Sequence, residues 1–453
     1  MPRFKRFQVT LVLLLASVSA GSSCFNSQTN SNPELALLFA PNLKNLIPRF
    51  VFVSNRQVAS LSAFSIDPVT GLLSQVSGSP FGIGPASGAD VSQPVVDPTG
   101  RYVYNSSYTG GSLYGFSIDR NSQSVSPLTG LPTGLNQPFP VAIDANSRFM
   151  FVSENTAGGF LKEFAIGTDG SLNQIGSVSG GTQPSYPIVD ALNRFVFVGD
   201  FFGTNAAYPY KMDSSTGALT AATTVGYNAV SSLPAIEPSG KLLFLQNTAG
   251  GVNGALLYSF LIDQISGGLG FVDQDSVSPG PQGIGIPATT PIPPAPVVTP
   301  DGRFLYVALT QNGNNAVAGY AIDSSTGVLT AIPGHPFATT GDSVQQPAIH
   351  ASGRFMYVAN TASSTIDVFA INPSTGALSA IAGSPFTAGA GPGPVAIDRG
   401  GLFAFVPNNN GGAGNTMSVF KIDPTSGALT PVSGSPYSVG TGPLGIAIAS
   451  YYE

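Results

Sequence analysis

The chain has 453 residues, only 9% of them charged, with a formal net charge of −6, 55 glycines and 38 prolines. So few basic residues, with no cluster beyond the first six positions, exclude a nucleic-acid footprint. Mean hydropathy is +0.22, yet after the N-terminus no apolar run approaches the roughly 20 residues of a membrane span, so the apolarity is spread over short strands joined by Gly/Pro turns.

At the N-terminus, Arg3, Lys5 and Arg6 precede the mainly apolar run Val9 to Ala16, and small and polar residues follow as far as Cys24. That order is an export signal. Two processing routes are open. Val18-Ser19-Ala20 allows cleavage after Ala20 and free secretion. Alternatively Cys24, the single cysteine, is the acylated first residue of a bacterial lipoprotein, although Gly21 stands where such signals usually carry Leu. Residues 1–24 are read as a signal peptide of lipoprotein type and 25–47 as a polar tether and lead-in. This predicts an exported protein of the periplasm or cell surface, touching a membrane only through its lipid. A lone cysteine excludes an intrachain disulfide.

From residue 48 onward one pattern recurs. A basic-aromatic-x-aromatic-Val segment begins at Arg49, Arg101, Arg148, Arg194, Lys241, Arg303 and Arg354, and appears an eighth time as Leu402-Phe403-Ala404-Phe405-Val406. The spacing is about 46 to 62 residues, close to one four-stranded propeller blade. Phe and Tyr alternate with Val, Leu or Met, so both faces of the strand are apolar, as a blade between two neighbours requires. Each segment is followed by a second strand such as Leu61 to Ile66, and then by a turn such as Asp67-Pro68-Val69-Thr70-Gly71. In such turns Asp bonds the backbone, Pro presets φ and Gly takes the left-handed position. A third strand leads to Gly-Ser-Pro-aromatic (Gly78 to Phe81, Gly383 to Phe386, Gly434 to Tyr437), and a short fourth strand ends in the next Pro/Gly turn.

The chain ends on one more strand of the fourth type, Pro443 to Ile448, whereas the first aromatic strand has no such strand before it. The predicted architecture is therefore an all-β propeller of eight four-stranded blades over 48–453, closed by the C-terminal strand. Seven blades is the alternative, if the divergent unit from Lys241 to Gly302 or the first unit does not form.

Candidate chemistry is sparse. His335 replaces the Ser of a Gly-Ser-Pro turn, and His350 stands where sister repeats place Asp97, Asp144, Asp190, Glu237 and Asp398, so the two histidines fall at opposite ends of a strand. Both they and the acidic series read as turn residues. The position six residues after each repeat start is Asn55, Ser107, Glu154, Asp200, Asn247, Leu309, Asn360 and Asn408, polar in seven repeats. It reads either as a turn-capping position or as the rim of the channel. On the second reading Glu154, Asp200, Asn247, Asn360 and Asn408 contact a ligand, with Asn/Gly-rich loops beside them. The Pro-rich stretch Ser278 to Pro296 interrupts the fifth repeat. No metal set, cofactor loop or nucleophile elbow is present, so no metal and no cofactor are expected.

These units, above all Arg354-Phe355-Met356-Tyr357-Val358-Ala359-Asn360 and the Asp-Pro-x-x-Gly turns, resemble the YVTN repeats of the lactonase-like β-propeller family. The resemblance implies the propeller fold. For activity it implies either lactone hydrolysis, as in 6-phosphogluconolactonase-like members, or a non-enzymatic surface or periplasmic role. Enzymatic members carry a Pro-His-x-His segment before an inner strand. Here the corresponding lead-ins are Gln93-Pro94, Gln137-Pro138, Gln183-Pro184, Gln346-Pro347 and Gly393-Pro394. The expectation is a monomeric binding or scaffold propeller of the envelope whose partner is a protein, peptide or carbohydrate. A sugar-lactone hydrolase is the alternative.

Overall fold

The computed structural model describes residues 46–84, 91–200, 207–224, 231–247, 256–276, 295–309 and 315–452. Cys24 and the predicted signal segment lie outside this range, as does the stretch 277–294.

Eight antiparallel sheets are present among the described residues, and each repeat builds one. The aromatic segments are the second strand of every blade: Leu46–Asn55, Tyr102–Ser107, Phe149–Glu154, Phe195–Asp200, Leu242–Asn247, Phe304–Leu309, Phe355–Asn360 and Phe403–Asn408 for blades 1 to 8. The divergent fifth unit forms a blade like the others, in the order Ser231–Ile236, Leu242–Asn247, Leu256–Ile262, Leu269–Ser276. The count is eight, not seven.

The C-terminal strand Pro443–Tyr452 pairs antiparallel with Leu46–Asn55 as the inner strand of blade 1, from Leu46 opposite Tyr452 to Asn55 opposite Pro443. First and last strands thus share one sheet, and neither the inner edge of blade 1 nor the ring stays open.

Side-chain alternation gives the ring its direction. In blade 1, Phe50 and Phe52 pack with Val103 and Phe116 of blade 2, while Val51 and Val53 pack with Phe403 and Phe405 of blade 8. Blade 3 repeats this, with Phe149 and Phe151 against blade 4 and Met150 and Val152 against blade 2. Throughout the ring, the ring-bearing face of the second strand meets the following blade and the aliphatic face the preceding one. The result is eight inter-blade clusters in a closed cycle. Each fully buried aromatic side chain in them contributes about 2–3 kcal/mol through area removed from water.

Turn chemistry locks blade to blade. Gly427, at φ +76, ends the Asp423-Pro424-Thr425-Ser426 turn of blade 8, and a Cβ there would lie 2.5 Å from the Phe355 ring of blade 7. Gly71 and Gly267 meet Phe403 and Phe195 at the same 2.5 Å. Glycine is thus required twice over, by backbone sign and by close approach. Nearby, the Tyr104, Tyr306 and Tyr357 hydroxyls donate to Gly170 O (2.9 Å), Gly376 O (2.5 Å) and Gly427 O (2.9 Å). The repeat-opening arginines lie over the first ring of their own strand, for example Arg148 over Phe149 at 5.0 Å and Arg194 over Phe195 at 4.9 Å.

Candidate functional site

The two ends of the propeller differ chemically. At one end lie the turns joining inner to second strands and third to outer strands. There the acidic series caps backbone: Asp144 Oδ1 accepts from Arg148 N (2.5 Å) and Phe149 N (2.7 Å), and Asp398 Oδ1 accepts from Leu402 N (2.7 Å) and Phe403 N (2.6 Å). Burial pushes both carboxyls up, Asp398 to about 7, against those amides, which favour the charged form. His350 takes the same role with a ring. Its Nδ1 accepts from Ser352 N at 3.1 Å and its Nε2–H donates to Gly401 O of blade 8 at 3.0 Å. Burial lowers its pKa, which keeps it neutral. His335 stands in its turn against Tyr320, ring centroids 5.3 Å apart. The outer turns behave alike: the Ser215 hydroxyl and the Thr216 and Ser215 amides hold Asp213 down at about 2. These acids and histidines are turn residues, as their sequence positions suggested.

The other end carries the loops between second and third strands and the lead-ins to the inner strands. The position-six residues sit there, each ending a second strand. Asn55, Glu154, Asp200, Asn360 and Asn408 are all buried. Asn55 Nδ2 donates to the Ser60 and Ser62 hydroxyls (3.0 and 2.9 Å), and Asn408 Nδ2 to those of Thr416 and Ser418 (2.9 and 3.0 Å). Asn360 Nδ2 donates to Thr365 Oγ1 (3.1 Å) and Asp367 Oδ2 (2.9 Å).

In blades 3 and 4 the same position is a carboxylate. Glu154 Oε1 accepts from Asn136 N (2.9 Å) and its Oε2 lies 3.4 Å from Lys162 Nζ, while Asp200 accepts from Thr182 N (2.7 Å) and Gln183 N (2.9 Å). Each residue therefore fastens the loop or lead-in of its own blade. The Asn247 side chain lies outside the described residues, as do parts of the loops near 201–206, 248–255 and 310–314.

Sequence reasoning did not find what gathers beside them. Phe139, Tyr186 and Ala295, from the inner strands of blades 3 and 4 and the lead-in of blade 6, share one cluster. Blade 5 stands between blades 4 and 6, so these side chains meet on the axis side. Tyr108, in a loop of blade 2, packs edge-on to Phe139 (5.8 Å between centroids), and Phe139 edge-on to Tyr186 (5.2 Å). Burial raises the Tyr186 phenol, which the Arg56 guanidinium from blade 1 opposes.

An amide lattice adjoins this aromatic row. The Tyr108 hydroxyl donates to Gln137 Oε1 (2.8 Å), Gln183 Nε2 donates to Asn155 Oδ1 (3.0 Å), and Asn155 Nδ2 to Pro184 O (2.7 Å). Gln137 holds φ +49, the left-handed region. The available signal was the aromatic residue one or two places after two of the Gln-Pro pairs, at Phe139 and Tyr186. Among the described residues no three His, Cys, Asp or Glu side chains gather where a metal ion would be held. The arrangement sets an aromatic row beside amide donors and acceptors and one carboxylate–ammonium pair at the loop end of blades 2 to 4.

The family described as "Lactonase, 7-bladed beta-propeller" matches residues 102–207, 289–385 and 339–442, more than half of the chain. A 6-phosphogluconolactonase of Formosa agariphila is 24% identical over 291 residues, covering 60% of this chain and 78% of that protein. The periplasmic gluconolactonase PpgL of Pseudomonas aeruginosa aligns with TM-score 0.54 at 20% identity, over 75% of this chain and 96% of its own. A putative 6-phosphogluconolactonase of Bacteroides uniformis aligns with TM-score 0.55 at 17% identity, over 76% and 97%. Apo AztD of Citrobacter koseri aligns with TM-score 0.57 at 11% identity, over 89% and 99%. At these identities the structures speak for the fold alone. With the aromatic strands of blades 2, 3, 4, 6, 7 and 8 inside the matched segments, this chain belongs to the lactonase family of β-propellers, and it builds eight blades where the family's description counts seven.

Proposed function

We propose that this protein is a lactone hydrolase working outside the cytoplasm, with its site at the mouth over blades 2 to 4. Membership of the lactonase family over more than half of the chain is the observation that carries this. In the reaction, water adds to the lactone carbonyl carbon and the ring C–O bond breaks. The ring oxygen leaves as a hydroxyl, giving the open hydroxy acid. Glu154 Oε2 is the carboxylate placed to take the proton from water, Lys162 stands beside it to steady developing negative charge, and Tyr108, Phe139 and Tyr186 form the wall for the ring. Asp200 ends the second strand of blade 4 beside this mouth, whereas Asn360 and Asn408 bond within blades 7 and 8, away from it.

The test is turnover of a lactone panel by the purified mature protein, read as acid release. Glu154→Gln is expected to lower kcat by about 100-fold or more while the chain still unfolds in one cooperative transition. No turnover of any lactone would sink the proposal. A second reading is a binding propeller without turnover, engaging an envelope protein, peptide or carbohydrate. It is favoured by the backbone amides already held by Glu154 Oε1 and both Asp200 oxygens. Saturable ligand binding without hydrolysis would decide for it. In either case we place the mature chain on a bacterial membrane through Cys24. Cys24→Ser is expected to move it from the membrane to the soluble fraction.

A further inference from the structure

We infer that the mouth takes an uncharged, polyhydroxylated lactone and rejects its phosphorylated counterpart. This rests on the hydrolase reading and deepens it by naming the substrate class.

The first ground is where the cations are. Apart from Arg56 and Lys162, every lysine and arginine from Arg49 onward sits at the turn end of the propeller, in the turns or on the strand residues next to them. There the guanidiniums of Arg148, Arg194, Arg303 and Arg354 lie over their own aromatic rings. None of the segments outside the described residues after Leu46 contains a lysine or arginine. Of the two cations at the mouth end, Lys162 is engaged by Glu154 at 3.4 Å and by the Phe160 ring at 5.0 Å, and Arg56 bears on Tyr186. Glu154, Asp200 and Asp367 are at the same end. A phosphate dianion would lose its hydration there and meet Glu154, Asp200 and Asp367, with Arg56 as the one guanidinium at that end.

The second ground is what the mouth offers instead. Gln93, Gln137 and Gln183 open the inner strands of three adjacent blades, each directly before a proline, and so stand at one height around the axis. Gln137 and Gln183 join the lattice with Tyr108 and Asn155. Gln93 is 1% exposed, packed against Gly445 of the neighbouring inner strand, and neither its Oε1 nor its Nε2 has a partner among the described residues. A buried amide left open on both atoms calls for a polar guest. Neutral amides with aromatic faces pair with sugar hydroxyls and C–H faces, and neither prefers an anion.

The experiment compares glucono-1,5-lactone with 6-phosphoglucono-1,5-lactone as substrates of the full mature chain. It also compares the non-hydrolysable glucono-1,5-lactam with its 6-phosphate by calorimetry. The expected result is a kcat/KM at least about tenfold higher, and a lactam Kd at least about tenfold lower, for the unphosphorylated compound, the scale of one lost charge-compensating contact. Equal or better use of the phosphorylated lactone overturns the inference and leaves the hydrolase reading standing. Failure to hydrolyse either lactone overturns the hydrolase reading. The lactams then judge the substrate class alone: selective binding of the neutral lactam upholds it, and absent or unselective binding overturns it. Gln93→Leu supplies a readout that a merely structural role would not move. It should weaken lactam binding by about fivefold or more while leaving the melting temperature unchanged or raised, because an unpaired buried amide is being removed.

Discussion

Two arcs of the ring follow the same plan with different care. Blades 6, 7, 8 and 1 each add a short fifth strand that pairs back onto the third strand after the Gly-x-Pro-aromatic turn. In blades 1, 7 and 8 the turn serine accepts a third-strand amide: Ser79 from Ala63 N (2.8 Å), Ser384 from Val368 N (2.9 Å) and Ser435 from Val419 N (2.9 Å). Among the described residues blades 2 to 5 show no such fifth strand, and blade 2 has only a single bridge from Thr133 to Ser112 of its third strand. Blades 3, 4 and 5 instead have six-residue inner strands with irregular register, and blades 3 and 5 have eight-residue outer strands.

Carboxylates replace neutral groups in the same places. Where blades 1, 7 and 8 end the second strand on Asn, blades 3 and 4 use Glu154 and Asp200. Glu163 and Asp273 accept the outer-strand amides of the next blade, from Leu219 (3.1 Å) and Leu329 (3.2 Å). The aromatic row and the amide lattice also belong to the divergent arc. One arc is repeated for closure, and the other departs from the repeat where side chains converge on the axis.

The contrast can be broken most severely at the latch. Truncation before Pro443 removes Ile446 and Ala449, which sit in the clusters on either side of blade 1, together with the whole inner strand. The expected outcome is loss of the cooperative unfolding transition and self-association through the exposed edge, read by circular dichroism and size-exclusion chromatography. A truncated chain that melts like the intact one would show that the ring does not depend on closure.

Next in size, Gly427→Ala must adopt a left-handed φ and also press on Phe355, whereas Gly130→Ala at φ +70 meets nothing within 4 Å. Denaturant titration should give about 3 kcal/mol for the first and about 1 kcal/mol for the second. Equal losses would mean that backbone sign alone sets the cost.

Asp398 sharpens the comparison through pH. Burial holds its folded value at about 7, above the ordinary carboxyl value of 3.8. Between those values the folded chain binds more protons than the unfolded one, so this group makes stability fall as pH rises from about 4 to about 7, then level off. Asp398→Asn should flatten that part of the profile of denaturation midpoint against pH. An unchanged slope would remove Asp398 as its source.

The smallest effect is expected at the paired positions. Lys162→Met leaves Glu154 buried without its cation and should cost about 1–2 kcal/mol, while Thr416→Val removes one neutral acceptor from Asn408 and should cost about 0.5–1 kcal/mol. The reverse order would argue that the charge pair contributes less than the neutral one it replaces.

Much of this molecule is legible because its patterns are local. Alternation of Phe/Tyr with Val/Met within five residues gives a strand that must be covered on both faces, and eight such strands with Asp-to-Gly turns specify stacked blades. The unpaired last strand announces the latch. The acids before the Pro/Gly turns could be read as caps because an Asx turn involves only the next few residues.

The mouth was not legible in the same way. Glu154 and Asp200 could be named as candidates, but their partners Lys162, Asn136 and Thr182, and the meeting of Tyr108 with Phe139 and of Tyr186 with Ala295, join residues as much as about a hundred apart. Such contacts depend on how many blades close the circle and how far each inner strand reaches the axis. The sequence by itself determined the unit, its two greasy faces, its turns and the closing strand, since each follows from sterics and burial within one repeat. Only the tertiary structure decided which side chains face one another across the axis, because that distance is set by the curvature of the whole ring.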